Sequence, residues 1–235
     1  MVCDHASNFL PAPMNRLGIA PHQMNEHIAW DIGAAEVACR LATRIKASAV
    51  LSSYSRLLID CNRDPGDPAA IPPITGGVTI PGNHALPATE VKRRQEAFFW
   101  PYHGAVAKQI ARVSQRGTPP AVVAIHSFTP NLCGDRRPWH VGVLWNRDPR
   151  IAAPALEHLR TDRSLCVGDN QPYSAREIGY TVDRHAARAG LPHITFEIRQ
   201  DQLADVSGCS LWAARLGNIL TKILSNRSVF RAAIY

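Results

Sequence analysis

Two histidines stand where apolar segments of this sequence end. His5 follows the start of the chain in "CDHAS", and His126 closes the apolar run of "PPAVVAIHSFTP". Imidazoles at strand ends of an α/β sheet can meet in one crevice, and two of them predict a catalytic zinc site with one further protein ligand and a water position. As a ligand, His5 could be oriented by the neighbouring Asp4. The alternatives are a buried His126 bonded to the backbone and a His5 on the N-terminal surface.

Glu197 is the candidate general base. In "LPHITFEIRQDQL" the polar side chains of Thr195, Glu197 and Arg199 alternate with apolar ones, so they share one face of a predicted strand. A carboxylate next to a buried strand face must be paired or take part in catalysis. Pairing with Arg199 is one interpretation, and removal of a proton from a metal-bound water is the other.

The phrase Asn-Arg-Asp-Pro occurs twice, around Arg63 and around Arg147. Nothing else aligns around the two copies, so we interpret both as turns at strand ends, where Asp bonds its own backbone and Pro stops the strand. Arg63 presents a planar fork suited to a carboxylate, and Asn62 can add an amide hydrogen bond. A salt bridge to Asp60 or Asp64 is the alternative for Arg63, whereas the second copy favours local packing or ion pairing.

Helical and strand periodicities alternate along the chain. Apolar spacing predicts helices over 26–47, 89–116 with a kink at Pro101, 174–190 with Gly190 as its C-cap, and 210–225. Strands are predicted within 49–60, including "RLLID", and in the segments 119–130, 139–146 and 191–203, with a long Pro- and Gly-rich loop over 65–87. This alternation predicts a three-layer α/β/α fold with a mixed, largely parallel central sheet.

Length and composition favour one domain over residues 1–235, because 46% of the residues are apolar and no linker-like stretch divides them. The net charge of +7 suits polyanions or, equally, small anionic substrates, and a solvated basic surface is the alternative. Nucleic-acid binding is not predicted, because the basic cluster "VKRRQ" lacks interleaved aromatics. Six cysteines without a C-x-x-C motif, no membrane-length apolar stretch and no signal peptide predict a cytoplasmic protein with no membrane contact.

Eight phrases in order resemble the N-formylglutamate amidohydrolase family across nearly the whole chain. They are "CDHASNFLP", "IDCNRDP", "IPGN", "PYH", "IHSFTP", "WHVGVLWNRD", "VGDNQPYS" and "PHITFEIRQD". That family is similar to the zinc carboxypeptidases and aspartoacylases, in which the Asn-Arg pair binds the substrate carboxylate. The resemblance implies a zinc-carboxypeptidase-like fold.

The resemblance also implies roles for individual residues. His5 and His126 would hold Zn²⁺, Glu197 would be general base and then proton donor, and Arg63 would bind the carboxylate of the leaving amino acid. Arg199 would steady the oxyanion or a second carboxylate, and further pocket-lining residues would be His103, Asn170 and Tyr173. The relatives carry a Glu three residues after the first His, whereas this chain has Asn8, a poor zinc ligand. Asp31 in "AWDIGA" is therefore the expected third ligand.

The expected function is a metal-dependent amidohydrolase that cleaves N-formyl-L-glutamate, or a related N-acyl amino acid, to formate and the free amino acid. In the family that this chain resembles, the reaction is a step of histidine degradation. The alternative, which the departure at Asn8 keeps open, is a non-catalytic binding module whose basic cleft takes small anions or nucleic acid.

Overall fold

The computed structural model describes residues 1–235, and its centre is a six-stranded mixed sheet. The ten strands of the chain are β1 (Val2–Cys3), β2 (Val50–Leu51), β3 (Ile74–Thr75), β4 (Val78–Thr79), β5 (Val122–Phe128), β6 (Asn131–Leu132), β7 (Asp135–Arg136), β8 (Val141–Leu144), β9 (Val167–Asp169) and β10 (His193–Arg199). The helices are α1 (Ala34–Arg44), α2 (Ala88–Arg94), α3 (Trp100–Ser114), α4 (Pro149–Arg160), α5 (Tyr180–His185) and α6 (Val206–Leu224).

The strand order in the sheet is β2-β1-β5-β10-β8-β9. All neighbouring pairs are parallel except β10 with β8, which run antiparallel. The remaining strands form two separate hairpins, β3 with β4 and β6 with β7. The predicted α/β class with a mixed, mostly parallel sheet is therefore confirmed.

Helices cover both faces of the sheet, and β5 and β10 are therefore buried along almost their whole length. One core cluster joins α1, α4 and α6 to side chains from one face, which include Val123, Ile125 and Phe196. A second cluster joins α3 and α5 to the opposite face, through Val122 and Ala124. Adjacent residues of β5 thus point into different layers, as the alternation of a strand requires. None of the helices combines the length and hydrophobicity needed to cross a bilayer.

The predicted helix over 26–47 is wrong in its first third. Residues 26–33 form turns, and α1 begins only at Ala34, after Gly33 with a φ of +77°. A Cβ atom at Gly33 would lie 2.5 Å from the Cβ of Leu203, so the left-handed turn and the close packing both favour glycine here. The turn leaves Asp31 outside the helix, with its backbone N–H donating to the carbonyl of His5 at 3.0 Å.

The predicted strand "RLLID" is also wrong. Leu57, Leu58 and Ile59 are all buried, but Leu57 and Leu58 lie in a turn, Ile59 is in irregular structure, and none of them pairs with a strand. The hydroxyl oxygen of Ser55 accepts from the backbone N–H of Leu57 at 3.2 Å, which satisfies a group that a strand partner would otherwise bind. An apolar run therefore predicted burial correctly and backbone conformation incorrectly.

Two other predicted helices differ at their boundaries. Of the segment 174–190, only Tyr180–His185 is α-helical, and it starts after Gly179 with a φ of +109°. Gly190 does end the segment in the left-handed region. The helical stretch 89–116 is confirmed as α2 and α3, joined by a π-helical segment Gln95–Phe99 just before Pro101. Helix α6 begins at Val206, four residues before the predicted start at 210.

Candidate metal centre

His5, Asp31 and His126 form a buried triad that could bind a metal ion. One ligand atom from each residue lies within 4.8 Å of the others. The Oδ2 atom of Asp31 lies 3.2 Å from Nδ1 of His5 and 2.8 Å from Nδ1 of His126. The two imidazoles that the sequence predicted as ligands therefore face the same point, and the carboxylate expected as third ligand lies between them.

Three different segments bring the triad together. His5 follows β1, His126 lies within β5, and Asp31 lies in the turn before α1. Strands β1 and β5 are parallel neighbours, so their carboxyl-terminal ends meet at one edge of the sheet. The backbone N–H of Ser127 also donates to Oδ2 of Asp31 at 3.3 Å, which ties the Asp31 carboxylate to β5.

A second carboxylate orients each imidazole from its far side. Nε2 of His5 lies 2.7 Å from Oδ1 of Asp60, and Nε2 of His126 lies 3.0 Å from Oδ2 of Asp4. A carboxylate on one ring nitrogen fixes the tautomer and leaves the other nitrogen, here Nδ1, as the ligand. Asp4 therefore does orient a histidine, but that histidine is His126 and not its neighbour His5.

The excess of buried carboxylates around the triad suits a cation. Burial alone would raise the pKa of the Asp31 carboxyl, but the two histidines outweigh it and lower that pKa. Burial would likewise lower the pKa of the His126 imidazole, and its hydrogen bonds to Asp31 and Asp4 reverse this effect. Negative charge from three buried carboxylates thus surrounds two imidazoles. Two imidazoles and one carboxylate are a donor set that catalytic zinc sites use, so the residues present fit such an ion.

Glu197 is placed beside the triad by the strand register. It is the register partner of His126 in the parallel pair of β5 and β10, and its side chain is buried. No hydrogen-bond partner reaches its Oε2 atom. Burial raises the pKa of the Glu197 carboxyl to about 7. The Asp31 carboxylate adds to this effect, and the positive charge of His126 opposes it. A buried carboxylate with a near-neutral pKa and a free oxygen has the properties of a general base.

A cavity lies above the triad, and the first Asn-Arg-Asp-Pro copy lines it through Asn62 and Arg63. The guanidinium of Arg63 is partly exposed, and its Nε lies 3.7 Å from Oδ2 of Asp60, a distance that leaves hydrogen-bonding capacity for a ligand. The side-chain oxygen of Asn62 accepts from the backbone N–H of Thr181 at 3.1 Å, so this side chain also fixes the start of α5.

Asp60 joins the metal triad to this turn. Besides His5, its Oδ1 atom accepts from the backbone N–H of Asn62 at 2.8 Å, and its Oδ2 atom lies 2.5 Å from Nη2 of Arg56. Arg56 also reaches Oδ1 of Asp31 at 3.5 Å. Sequence reasoning missed Arg56 entirely and treated Asp60 only as a partner for Arg63. The signal for Asp60 was its first position in the phrase Asp-x-Asn-Arg, whereas no sequence pattern pointed to Arg56.

Three predicted site residues lie outside the cavity. Arg199 forms an ion pair with Asp201 at 2.7 Å instead of pairing with Glu197 or facing the triad. His103 is buried behind the turn, with Nε2 bonded to the carbonyl of Cys61 at 3.0 Å and Nδ1 at 2.9 Å from Nε2 of His185.

Asn170 has a supporting position as well. Its Oδ1 atom accepts from the backbone N–H groups of Trp145 and Ala175 at 3.0 and 3.2 Å, and it does not line the cavity. Tyr173, in contrast, lines the cavity as expected. The second Asn-Arg-Asp-Pro copy has the predicted local role, because Asp148 caps α4 and pairs with Arg150 at 2.6 Å.

The cavity above the triad has a volume of about 430 Å³. Its lining is mainly polar and includes the triad residues, Glu197, Arg56, Arg63, Arg176 and Tyr173. A cavity of this size is suited to a small molecule, and its guanidinium groups favour an anionic one.

Comparisons with known proteins show the family and the fold of this chain. The family model described as N-formylglutamate amidohydrolase matches residues 1–204. A solved gene product of Agrobacterium tumefaciens is 36% identical, with a TM-score of 0.92 over 97% of this chain and 90% of that chain. An N-formylglutamate amidohydrolase from Ralstonia eutropha JMP134 is 20% identical, with a TM-score of 0.68 over 97% of this chain and 93% of that one, which shows a shared fold. No curated protein matches the chain.

Proposed function

Because the chain belongs to the N-formylglutamate amidohydrolase family, we propose that it is a zinc-dependent hydrolase of a linear amide, which releases formate and the free amino acid from N-formyl-L-glutamate or a related N-acyl amino acid. The observation that carries this proposal is the position of Glu197. A buried carboxylate with an unpaired oxygen is the register partner of a histidine in a triad that could bind a metal.

His5, Asp31 and His126 would hold the zinc ion, and Asp4 and Asp60 would orient the two imidazoles. When bound there, zinc would act as a Lewis acid toward the acyl oxygen and lower the pKa of a water. This donor set supports a metal-dependent reaction more directly than a simple anion-binding cleft, because three buried carboxylates around the two imidazoles favour a cation at the triad itself.

Glu197 would handle the proton. With its pKa near 7, its carboxylate can accept a proton from the attacking water at neutral pH and then donate the same proton to the amide nitrogen. The carbon–nitrogen bond breaks as the nitrogen is protonated, so the products are formate and an amine. The same side chain thus acts first as base and then as acid.

Arginines would bind the negative charges of the substrate. Arg63 and Asn62 would take the α-carboxylate of the amino acid, and Tyr173 would add a hydrogen bond from the cavity wall. Arg56, which lies 3.5 Å from the Asp31 carboxylate, would stabilise the oxyanion, the role that the sequence assigned to Arg199. Exposed Arg176 also lines the cavity and forms no salt bridge, which favours a substrate with a second carboxylate such as glutamate.

A hydrolysis screen tests the proposal. Protein stripped by a chelator and then supplied with Zn²⁺, Co²⁺ or Mn²⁺ would be assayed with N-formyl, N-acetyl and longer acyl amino acids. We expect metal-dependent release of formate, with N-formyl-L-glutamate among the best substrates. Arg63→Ala should raise KM by about tenfold to a hundredfold, since it removes a charge-assisted hydrogen bond.

Arg147→Ala is the matched control, because it removes the arginine of the second Asn-Arg-Asp-Pro copy, which donates to the carbonyl of Tyr235 and does not line the cavity, and it should leave KM unchanged. Metal-loaded protein that hydrolyses none of these amides would overturn the proposal. Under that outcome, a steeply salt-dependent affinity for nucleic acid would instead support the binding-module alternative.

A further inference from the structure

Arg137 is a buried cation with no carboxylate partner. Only 8% of the surface of Arg137 is exposed, and no Asp or Glu oxygen lies within 4.0 Å of its guanidinium. Arginine is rarely buried unless it is paired, because removing its charge from water is unfavourable. A guanidinium in such a position therefore requires an explanation, and its other contacts supply one.

Arg137 contacts two aromatic rings that line the cavity. Its Nη1 atom donates to the hydroxyl oxygen of Tyr173 at 2.9 Å. The guanidinium carbon lies 4.8 Å from the centre of the Tyr173 ring and 5.9 Å from the centre of the Phe128 ring. Both rings face the cavity, whereas Arg137 itself lies behind them. The cation is therefore held by aromatic faces and by one hydroxyl group.

This hydrogen bond determines what the Tyr173 hydroxyl can do. A guanidinium has donors and no acceptor, so the tyrosine oxygen must accept and cannot direct its own hydrogen toward Arg137. No other protein group forms a hydrogen bond with this hydroxyl. The O–H of Tyr173 is consequently free to donate to a molecule in the cavity, and the nearby positive charge makes it a stronger donor.

The segment that carries Arg137 is fixed on both sides. The backbone N–H of Arg137 donates to the carbonyl of Pro130 at 2.8 Å, across the hairpin of β6 and β7. Arg199 donates through Nη1 to the carbonyls of Arg137 and Pro138, at 3.2 and 2.9 Å. Arg199 thus supports the backbone of this segment from the end of β10, the strand that also carries Glu197.

We propose that Arg137 is a positioning residue, which aims the Tyr173 hydroxyl as a hydrogen-bond donor toward an oxygen of the substrate in the cavity. This inference rests on the proposed function, because it assumes an N-acyl amino acid as the occupant. Arg137 acts only through Tyr173 and touches no substrate atom itself.

A double-mutant cycle on the metal-loaded enzyme tests this assignment. The four proteins are the wild type, Tyr173→Phe, Arg137→Met and the double variant, and each is measured for kcat and KM with the best substrate of the screen. Tyr173→Phe should lower kcat/KM about tenfold to a hundredfold, the effect of losing one hydrogen bond to a charged oxygen. Arg137→Met should cause a comparable loss in the wild type but less than about threefold in the Tyr173→Phe background.

Further variants separate positioning from packing. Arg137→Met keeps the apolar stem between the two rings, and Arg137→Lys, which retains a donor for the tyrosine oxygen, should recover part of the lost kcat/KM. Arg136→Gln, at the exposed neighbouring position, is the control and should behave like the wild type. If Arg137→Met does not fold, the cycle is completed with Arg137→Gln. A Tyr173→Phe variant with wild-type kcat/KM would overturn the assignment of Arg137 in either case.

The outcomes are distinct. A Tyr173→Phe variant with wild-type kcat/KM, or losses in the two single variants that multiply in the double variant, would overturn the assignment of Arg137 and leave the proposed function intact. A wild-type protein that hydrolyses no N-acyl amino acid would overturn the proposed function, and this inference with it.

Discussion

Glu197 and His126 are direct partners in the parallel register of β5 and β10, so the backbone alone sets a buried carboxylate beside a candidate metal ligand. Every hydrogen bond of that strand pair maintains this relationship. A slip by one residue would turn Glu197 to the other face of the sheet, into the apolar layer against α6. The geometry that the chemistry needs is therefore held by a strand pair that is buried along almost its whole length.

Replacement of Glu197 by Gln should stop turnover without loss of the metal. The amide has the shape of the carboxylate but cannot accept a proton, so kcat should fall by about a hundredfold to ten-thousandfold. Metal content, measured by elemental analysis, should stay at the wild-type level because Glu197 is not in the triad. Glu177→Gln, which removes another carboxylate from the cavity lining, is the control; a similar fall there would deny Glu197 a special role.

Replacement of Asp31 by Asn should lower metal content. Asp31 contributes the only carboxylate of the triad, and a neutral amide is a weaker ligand for zinc. Elemental analysis after dialysis should show substoichiometric zinc, while Asp183→Asn, at the rim of the same cavity, should retain it. Full zinc occupancy in Asp31→Asn would return this residue to a structural role between the two imidazoles.

Replacement of Asp60 by Asn should weaken metal binding without removing a ligand. The Asp60 carboxylate holds Nε2 of His5 at 2.7 Å, and loss of such an orienting carboxylate commonly reduces metal affinity about tenfold to a hundredfold. Competition with a fluorescent chelator measures this change. Asp67→Asn removes a carboxylate from the same cavity lining without any contact to His5, so an equal loss of affinity there would argue for a general charge effect.

The free energy of unfolding should fall on acidification, because the buried imidazole of His103 resists protonation in the folded chain. Burial lowers the pKa of this imidazole to about 4, from an ordinary value near 6.5. Between these values the unfolded chain binds a proton that the folded chain does not, so stability is retained above about pH 6.5 and is lost as the pH falls toward 4. The loss attributable to His103 approaches about 3 kcal/mol.

Urea unfolding at a series of pH values measures this loss, taken as the difference between the wild type and His103→Gln. The variant should show a shallower pH dependence over that window, and His84→Gln, at an exposed position, should match the wild type. Parallel profiles for the wild type and His103→Gln would show that other groups govern acid stability.

Replacement of Gly142 by Ala should displace the segment that carries Tyr173. A Cβ atom at Gly142 would lie 2.0 Å from the carbonyl oxygen of Gln171, a backbone atom that cannot move alone. Overpacking of this kind costs about 1–3 kcal/mol, and the shift should also reduce kcat/KM. Gly104→Ala in α3 meets no atom within 4 Å and should be neutral or stabilising by up to about 1 kcal/mol, as thermal unfolding would show.

Strands β5, β8 and β10 of the central sheet were predictable because their apolar runs and alternation are local patterns, whereas β9, with three residues, was not predicted. The apolar run through Val122–Phe128 and the alternation through His193–Arg199 both gave the correct element and the correct face for Glu197. The family resemblance is confirmed by the match over residues 1–204. Arg199 shares its strand and its face with Glu197, but it is the last residue of β10, and its guanidinium pairs with Asp201 outside the cavity.

The turns around the centre were not predictable from periodicity. Residues 26–33 continue the apolar spacing of α1, yet they form turns that place Asp31 between two histidines. The pairing of Asp60 with His5 joins residues 55 positions apart, and no local signal encodes such a contact. Side-chain and backbone hydrogen bonds at long range, which decide these turns, outweigh helix propensity where a polar centre must be satisfied.

One carboxylate, that of Asp60, serves both ends of the candidate centre: it orients His5 through Oδ1 and faces Arg56 and Arg63 through Oδ2. Occupancy at the imidazoles and occupancy at the guanidiniums are consequently coupled equilibria, and the coupling must be equal in both directions. An amino acid docked on Arg63 should therefore change the equilibrium affinity for the cation, as measured by competition with a chelator. Diversification of substrate choice in this scaffold would then be least disruptive in the wall formed by residues 175–180, where no side chain bonds a triad residue or the carboxylates that orient the two imidazoles.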